Sequence, residues 1–213
     1  MILKLKNTIP YPLEGFDISQ SEIWDTDLSI ESGQKVLVQA GSGKGKSTLL
    51  NIFYGNRNDY TGKAFIDDVD LSKQNHLWWA KQRQNKLSVV FQDLKLFSEL
   101  SGWDNILLKL ALTNYYDEAV PKEMATRLGI EHVLNKKAGH MSFGERQRTA
   151  IIRSLMQPFE WLLLDEPFSH LDDDNIALAS KLIAEECDKR NAGLLIAGLN
   201  DDKYFDYNKR IRL

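Results

Sequence analysis

Residues 36 to 50 read VLVQAGSGKGKSTLL: a short apolar run, a glycine-rich turn and the start of a helix-forming stretch. Gly45, Lys46 and Ser47 stand in the order and context that a phosphate-binding loop requires. Glycine lets backbone N–H groups approach phosphate oxygens with no Cβ in the way, and a helix N-terminus adds a favourable dipole. The expected cradle is Ala40, Gly41, Ser42, Gly43, Lys44, Gly45, Lys46, Ser47 and Thr48. Within it, Lys46 would neutralise the β and γ phosphates of ATP, the Ser47 hydroxyl would ligate Mg²⁺, and Thr48 would touch the α phosphate. One position departs from the G-x-x-x-x-G-K-[ST] pattern: its first glycine is Ala40, the smallest substitute.

Phosphoryl transfer also needs a carboxylate near the metal and a base for the attacking water. The run Trp161-Leu162-Leu163-Leu164-Asp165-Glu166-Pro167 offers both. An apolar strand would carry Asp165 to its C-terminal end, where ligands sit in open α/β sheets, to hold the hydration shell of Mg²⁺. Glu166, one residue on, would act as general base. The competing interpretation is an acidic turn that merely caps a buried strand; the phosphate loop upstream favours the chemical one.

Elements able to position these residues can be read along the chain. Strands are expected at Met1 to Lys6, Trp24 to Ile30, Lys35 to Gln39, Lys63 to Ile66, Leu87 to Phe91, Trp161 to Asp165, Leu194 to Ala197 and Lys209 to Leu213. Continuous apolar runs such as Val36-Leu37-Val38 suit a sheet covered on both faces. Helices are expected at Ser47 to Tyr54, Glu145 to Met156 and Asn175 to Arg190, from apolar residues at helical spacing. The alternation predicts an α/β fold with a mostly parallel sheet. Between Leu100 and Lys137 only helical patterns occur (Trp103 to Leu112, Lys122 to Leu128), which predicts a small helical insertion at about residues 98–141 of one domain spanning 1–213.

Bulk properties narrow the function classes. The chain has 213 residues, 43% hydrophobic and 27% charged, as a soluble globular domain does. A net charge of −3 carries no basic footprint, so no nucleic-acid partner is expected. The single cysteine, Cys187, fits a cytoplasmic chain. The N-terminus lacks the apolar core of a signal peptide, and no apolar run is long enough to span a bilayer. A membrane role must work through a partner.

Three further segments, Val90-Phe91-Gln92-Asp93, Met141-Ser142-Phe143-Gly144-Glu145-Arg146-Gln147-Arg148 and Ser169-His170-Leu171-Asp172, join the two motifs above in a resemblance, over essentially the whole chain, to the ATP-binding cassette family, the nucleotide-binding subunits of ABC transporters. Gln92 in Val90-Phe91-Gln92-Asp93 looks like that family's Q-loop glutamine, which touches Mg²⁺ and the attacking water. Met141-Ser142-Phe143-Gly144-Glu145-Arg146-Gln147-Arg148 resembles the family signature, usually LSGGQ or LSGGE followed by QR. Ser169-His170-Leu171-Asp172 resembles the D-loop, usually SALD. The compact cassette is most similar in size to the bacterial lipoprotein-release and macrolide-export type.

The resemblance implies a P-loop NTPase core with an N-terminal antiparallel β portion and the helical insertion. It also implies a head-to-tail dimer, homo- or heterodimeric, with two ATP molecules between subunits. Ser142, Gly144 and Glu145 would then meet the γ-phosphate held by the opposite subunit, beside Asp172. Phe16, with Tyr11 as the alternative, would stack on adenine. The family places a histidine in the switch region where this chain has Asn200, shorter and unable to carry charge. Slower ATP hydrolysis than in a histidine-bearing relative is therefore expected. The implied partner is an integral-membrane transporter subunit, which would hold this protein at the inner face of the cell membrane. It would dock in the groove near Gln92 to Trp103, with Phe97, Leu100 and Trp103 as candidate contacts. Two other readings stand beside this one: a soluble ABC ATPase of DNA repair or translation, and a non-hydrolysing ATP switch on a membrane complex.

Overall fold

The computed structural model describes residues 1–41, 43–199 and 204–213. Strands β1 (Ile2–Pro10), β2 (Asp27–Glu31), β4 (Tyr60–Ile66) and β5 (Val69–Asp70) form an antiparallel sheet in the order β2-β1-β4-β5. Strands β3 (Lys35–Gln39), β6 (Leu87–Val90), β7 (Trp161–Asp165), β8 (Gly193–Gly198) and β9 (Lys209–Arg212) form a parallel sheet in the order β6-β7-β8-β3-β9. Among the described residues six α-helices complete it: α1 (Lys46–Phe53), α2 (His76–Asn85), α3 (Gly102–Thr113), α4 (Ala119–Arg127), α5 (Phe143–Leu155) and α6 (Asp173–Arg190).

The unbroken apolar runs serve two cores at once, because strand side chains alternate between faces. Leu37, Leu162, Leu164, Leu194 and Ile196 pack among the helical residues of α3 to α6. Val36, Val38, Leu163, Leu195 and Ala197 point the other way, against Leu49, Ile52 and Phe53 of α1 and Leu3, Leu5 and Ile30 of the antiparallel sheet. The parallel sheet is thus covered on both sides, which is why its strands read as continuous rather than alternating.

Three expectations needed correction. Trp24 precedes β2 instead of opening it, and its buried indole joins the core beside Leu13. Helix α2 was not anticipated. Its residues His76-Leu77-Trp78-Trp79-Ala80-Lys81 show no apolar stripe, and Leu77 is 82% exposed. A local cap starts it, the Asn75 side chain accepting from the N–H of Trp78 at 2.9 Å. The two-residue strand β5 was not anticipated either.

Candidate active site

Strand order builds the site. Along β6-β7-β8-β3 the C-terminal ends deliver, side by side, Gln92, the pair Asp165 and Glu166, Leu199, and the glycine turn that runs into α1. This is the end of a parallel sheet at which ligands bind.

In the turn, Gly45 caps α1 with φ 95°, a left-handed conformation that L side chains rarely adopt. A Cβ there would lie 2.9 Å from Leu13 Cδ1 and 3.1 Å from the Trp24 indole. Trp24 supports the same turn, its Nε1 donating to the Lys44 carbonyl at 3.2 Å. Lys46 is only 6% exposed; its Nζ donates to the carbonyls of Ala40 at 2.8 Å and Gly41 at 3.1 Å. Ala40 is not among the positive-φ residues, so its methyl group strains nothing where the pattern asks for glycine. The Thr48 hydroxyl accepts from Arg57 at 3.5 Å.

Asp165 is 4% exposed. Burial pushes its carboxyl pKa up, as do the charges of Glu166 and Asp93, against a hydrogen bond with Ser47 and the charge of Lys46. Its Oδ1 is buried and has no hydrogen-bond partner among the described residues. An orphaned carboxylate oxygen beside a hydroxyl is a donor set suited to a hard divalent cation. The residues present therefore fit Mg²⁺, with Gln92 as a third oxygen donor nearby. Among the described residues no cluster of three His, Cys, Asp or Glu side chains competes for a metal.

Glu166 follows β7 with φ 47°, left-handed for a non-glycine residue. Its N–H donates to Ala197 of β8 at 2.8 Å. One carboxylate oxygen lies 3.3 Å from Lys46 Nζ, and the other accepts from Gln92 Nε2 at 3.3 Å. Lys46, Ser47, Gln92, Asp165 and Glu166 are thereby assembled from three strand ends.

A second group forms at the start of α5. Ser142 and Glu145 make a capping box: the Ser142 hydroxyl accepts from the Glu145 N–H at 3.2 Å, and the Glu145 carboxylate accepts from the Ser142 N–H at 2.6 Å. The Ser142 amide, first, and the charge of Lys136 hold the Glu145 carboxyl below its ordinary range. A Cβ on Gly144 would meet the His170 carbonyl and Leu171 at 3.4 Å, so this helix start lies against the segment that follows Glu166. Phe143 and His170 touch there, with ring centroids 4.1 Å apart. Asp172 caps α6, accepting from the Asn175 N–H at 2.8 Å.

Phe16 is 68% exposed and lines a cleft of about 250 Å³ together with Leu13, Trp24, Gly43 and Lys44; Tyr11 is not among the lining residues. Ser42 and Asn200 lie outside the described residues. Of the candidate docking residues, Phe97 is exposed, while Leu100 and Trp103 are half-buried and Lys122 sits 5.2 Å from the Trp103 ring. Two supports had no structural role in the sequence reading: Trp24 stood only at the start of an expected strand, and Gln147 only within the segment that resembles the family signature. Trp24 sits under the phosphate loop, and Gln147 is a polar residue on the same helical stripe as Ala150, Ile151 and Ser154. That misplaced polarity was the available signal for Gln147.

Comparison with known proteins gives the following. A family model described as ABC transporter matches residues 23–169. The thiamine import ATP-binding protein ThiQ of Haemophilus ducreyi is 35% identical over 173 residues, covering 79% of this chain and 78% of that protein. The lipoprotein-releasing system ATP-binding protein LolD of Psychrobacter arcticus is 30% identical over 188 residues, covering 86% and 83%. Among solved structures, the dimeric post-hydrolysis state of the ATP-binding cassette MJ0796 bound to ADP and Pi superposes with a TM-score of 0.77 at 25% identity, covering 93% of this chain and 88% of that one.

Proposed function

The chain belongs to the ABC transporter family as one of its ATP-binding ATPases, and from that premise we propose that it drives a separate membrane subunit by closing as a dimer around two Mg-ATP. The observation that carries this is the pairing of two phosphate-facing features on one chain. One is the glycine turn with Lys46; the other is the capped start of α5 at Ser142 and Gly144, tied to the segment after Glu166. A single chain would use the first on its own nucleotide and the second on that of the opposite subunit. The two-fold arrangement closes on itself.

Within one site, Lys46 would bind the β and γ phosphates, and the Ser42 and Thr48 region would complete the cradle. Ser47, Gln92 and Asp165 would hold Mg²⁺, which supplies charge neutralisation on the phosphates. Glu166 would orient and deprotonate the attacking water, with Gln92 fixing its carboxylate. Asn200 would stand in the switch position, and Phe16 would cover adenine from the cleft edge.

Docking would use the outer part, at Tyr54, Arg83 and Phe91, of a cavity of about 810 Å³ that runs inward to Ser47, Gln92 and Asp165; the expected contacts Phe97, Leu100 and Trp103 do not line it. Because the inner part of this cavity is lined by Ser47, Gln92 and Asp165, the residues that would hold Mg²⁺, a membrane subunit seated at its outer part would sense nucleotide directly. Helices α3 and α4 would form the inserted helical part beside that groove. No helix among the described residues is long and apolar enough to cross a membrane, which is compatible with a peripheral subunit on the inner face of the cell membrane. The test is co-purification from detergent-solubilised native membranes together with phosphate release by the purified chain. Release that needs neither Lys46 nor Glu166 would sink the reading.

A further inference from the structure

Gln147 lies one turn into α5 and is 1% exposed, on the core face of a helix whose exposed start is the capping box of Ser142 and Glu145. Its Nε2 donates to the backbone carbonyls of Glu166, at 3.4 Å, and of Pro167. Both partners are acceptors, so the amide nitrogen must face them. The other end of the amide, Oε1, is buried with no partner among the described residues. An unpartnered buried acceptor is a cost that leucine or methionine of similar volume would avoid, so packing alone does not explain a glutamine here.

The carbonyls it grips belong to an unusual stretch of backbone. Glu166 is left-handed at φ 47°; its N–H is pinned by Ala197 of β8, and its carbonyl also accepts from the Ser169 hydroxyl at 3.2 Å. Such a conformation persists only where its surroundings over-determine it. Three donors on the carbonyl side, Gln147 Nε2 with the Ser169 hydroxyl and N–H, and one acceptor on the amide side do so. The carboxylate that pairs with Lys46 and Gln92 projects from this peptide unit.

We propose that Gln147 is a positioning residue that sets the carboxylate of Glu166 and transmits to it the engagement of the α5 start by the opposite subunit's nucleotide. The inference rests on the reading of Glu166 as the base. A shift of α5 pulls directly on the Glu166 and Pro167 carbonyls through one rigid amide, so each chain links the nucleotide it meets with Ser142 to the base of its own site. Displacing a catalytic group by about 1 Å can lower a rate about a hundredfold.

The test uses the full-length chain. Gln147→Met keeps length and volume but removes the donor; kcat for ATP is expected to fall about a hundredfold, while ADP affinity by equilibrium titration stays within about twofold. Combined with Glu166→Gln, it is expected to slow turnover no further, because both changes act on one group. Gln147→Glu keeps the shape if the methionine variant fails to fold. Only its protonated form can donate to the carbonyls, so its kcat relative to the parent is expected to decline as pH rises. A parental kcat in Gln147→Met, a loss of ADP affinity in step with kcat, additive losses in the double variant, or a pH-flat ratio in Gln147→Glu would each overturn the proposal. Full turnover in Glu166→Gln alone would instead overturn the underlying assignment of the base.

Discussion

Lys46 Nζ stands 3.3 Å from one carboxylate oxygen of Glu166, and the amide of Gln92 stands 3.3 Å from the other. The residues proposed as the phosphate-binding cation and the base are thus ion-pair partners. On the proposed function, phosphates bound by Lys46 would compete with Glu166 for the amine, and the carboxylate would keep its contact with Gln92. Substrate binding and activation of the proposed base would then be one exchange of partners.

That exchange separates the two residues' phenotypes. Lys46→Ala is expected to abolish retention of ATP in the presence of Mg²⁺. Glu166→Gln is expected to keep ATP, lower turnover by at least about a hundredfold and trap a dimer. Size-exclusion chromatography with light scattering checks the second; a Glu166→Gln chain that stays monomeric with ATP would argue against the sandwich.

Gly45→Ala places a methyl group 2.9 Å from Leu13 and against Trp24, on a left-handed backbone. Strain of about 1–3 kcal/mol is expected, read as a lower Tm. ATP affinity should fall with it, because the turn that presents the amides must open. Ala40→Gly, at an unstrained position, should leave affinity within about twofold.

Asn200→His would restore a longer donor to the switch position. A single preorganised contact of this kind is worth about 10²–10³ in rate, so kcat is expected to rise by about tenfold or more, with KM little changed. Steady-state phosphate release measures it, and an unchanged or lower kcat removes the residue from the mechanism.

Phe143 and His170 stand where the resembling family has small residues, and here they pack on each other with centroids 4.1 Å apart, Arg146 lying 5.1 Å from the Phe143 ring. Phe143→Ala is expected to cost about 0.5–1.5 kcal/mol from the lost aromatic contact. Chemical unfolding measures this, and His170→Ala should remove the same energy non-additively.

Lys109 is pushed down to about 8 by burial, first, and by the nearby Arg153 and Arg83 charges, while its Nζ donates to Gln157 at 2.7 Å. Between about 8 and the ordinary lysine value of 10.5, the unfolded chain holds a proton that the folded chain has released. Raising pH through that window therefore stabilises the fold. Urea unfolding should show this rise in the parent and its absence in Lys109→Met.

Much of the site could be read from residue order because its chemistry is local. Gly45-Lys46-Ser47 between an apolar run and a helix, and Asp165-Glu166 at the end of another apolar run, need only their neighbours to suggest the roles proposed for them. The α/β class followed from β3, β7 and β8, whose runs are apolar on both faces because helices and a second sheet cover them. Helix α2 escaped because a side-chain cap, not an apolar stripe, starts it.

The order β6-β7-β8-β3 is a long-range choice that no window of sequence contains, yet it alone brings Gln92, Glu166 and Lys46 within 3.3 Å contacts. The burial of Trp24 under the phosphate loop and the grip of Gln147 on the Glu166 carbonyl are of the same kind. Residue types along the chain specified which groups could do chemistry, since charge and hydrogen-bonding capacity belong to each side chain. Tertiary structure decided which of them meet, since contact between remote residues depends on how strands pair and layers pack.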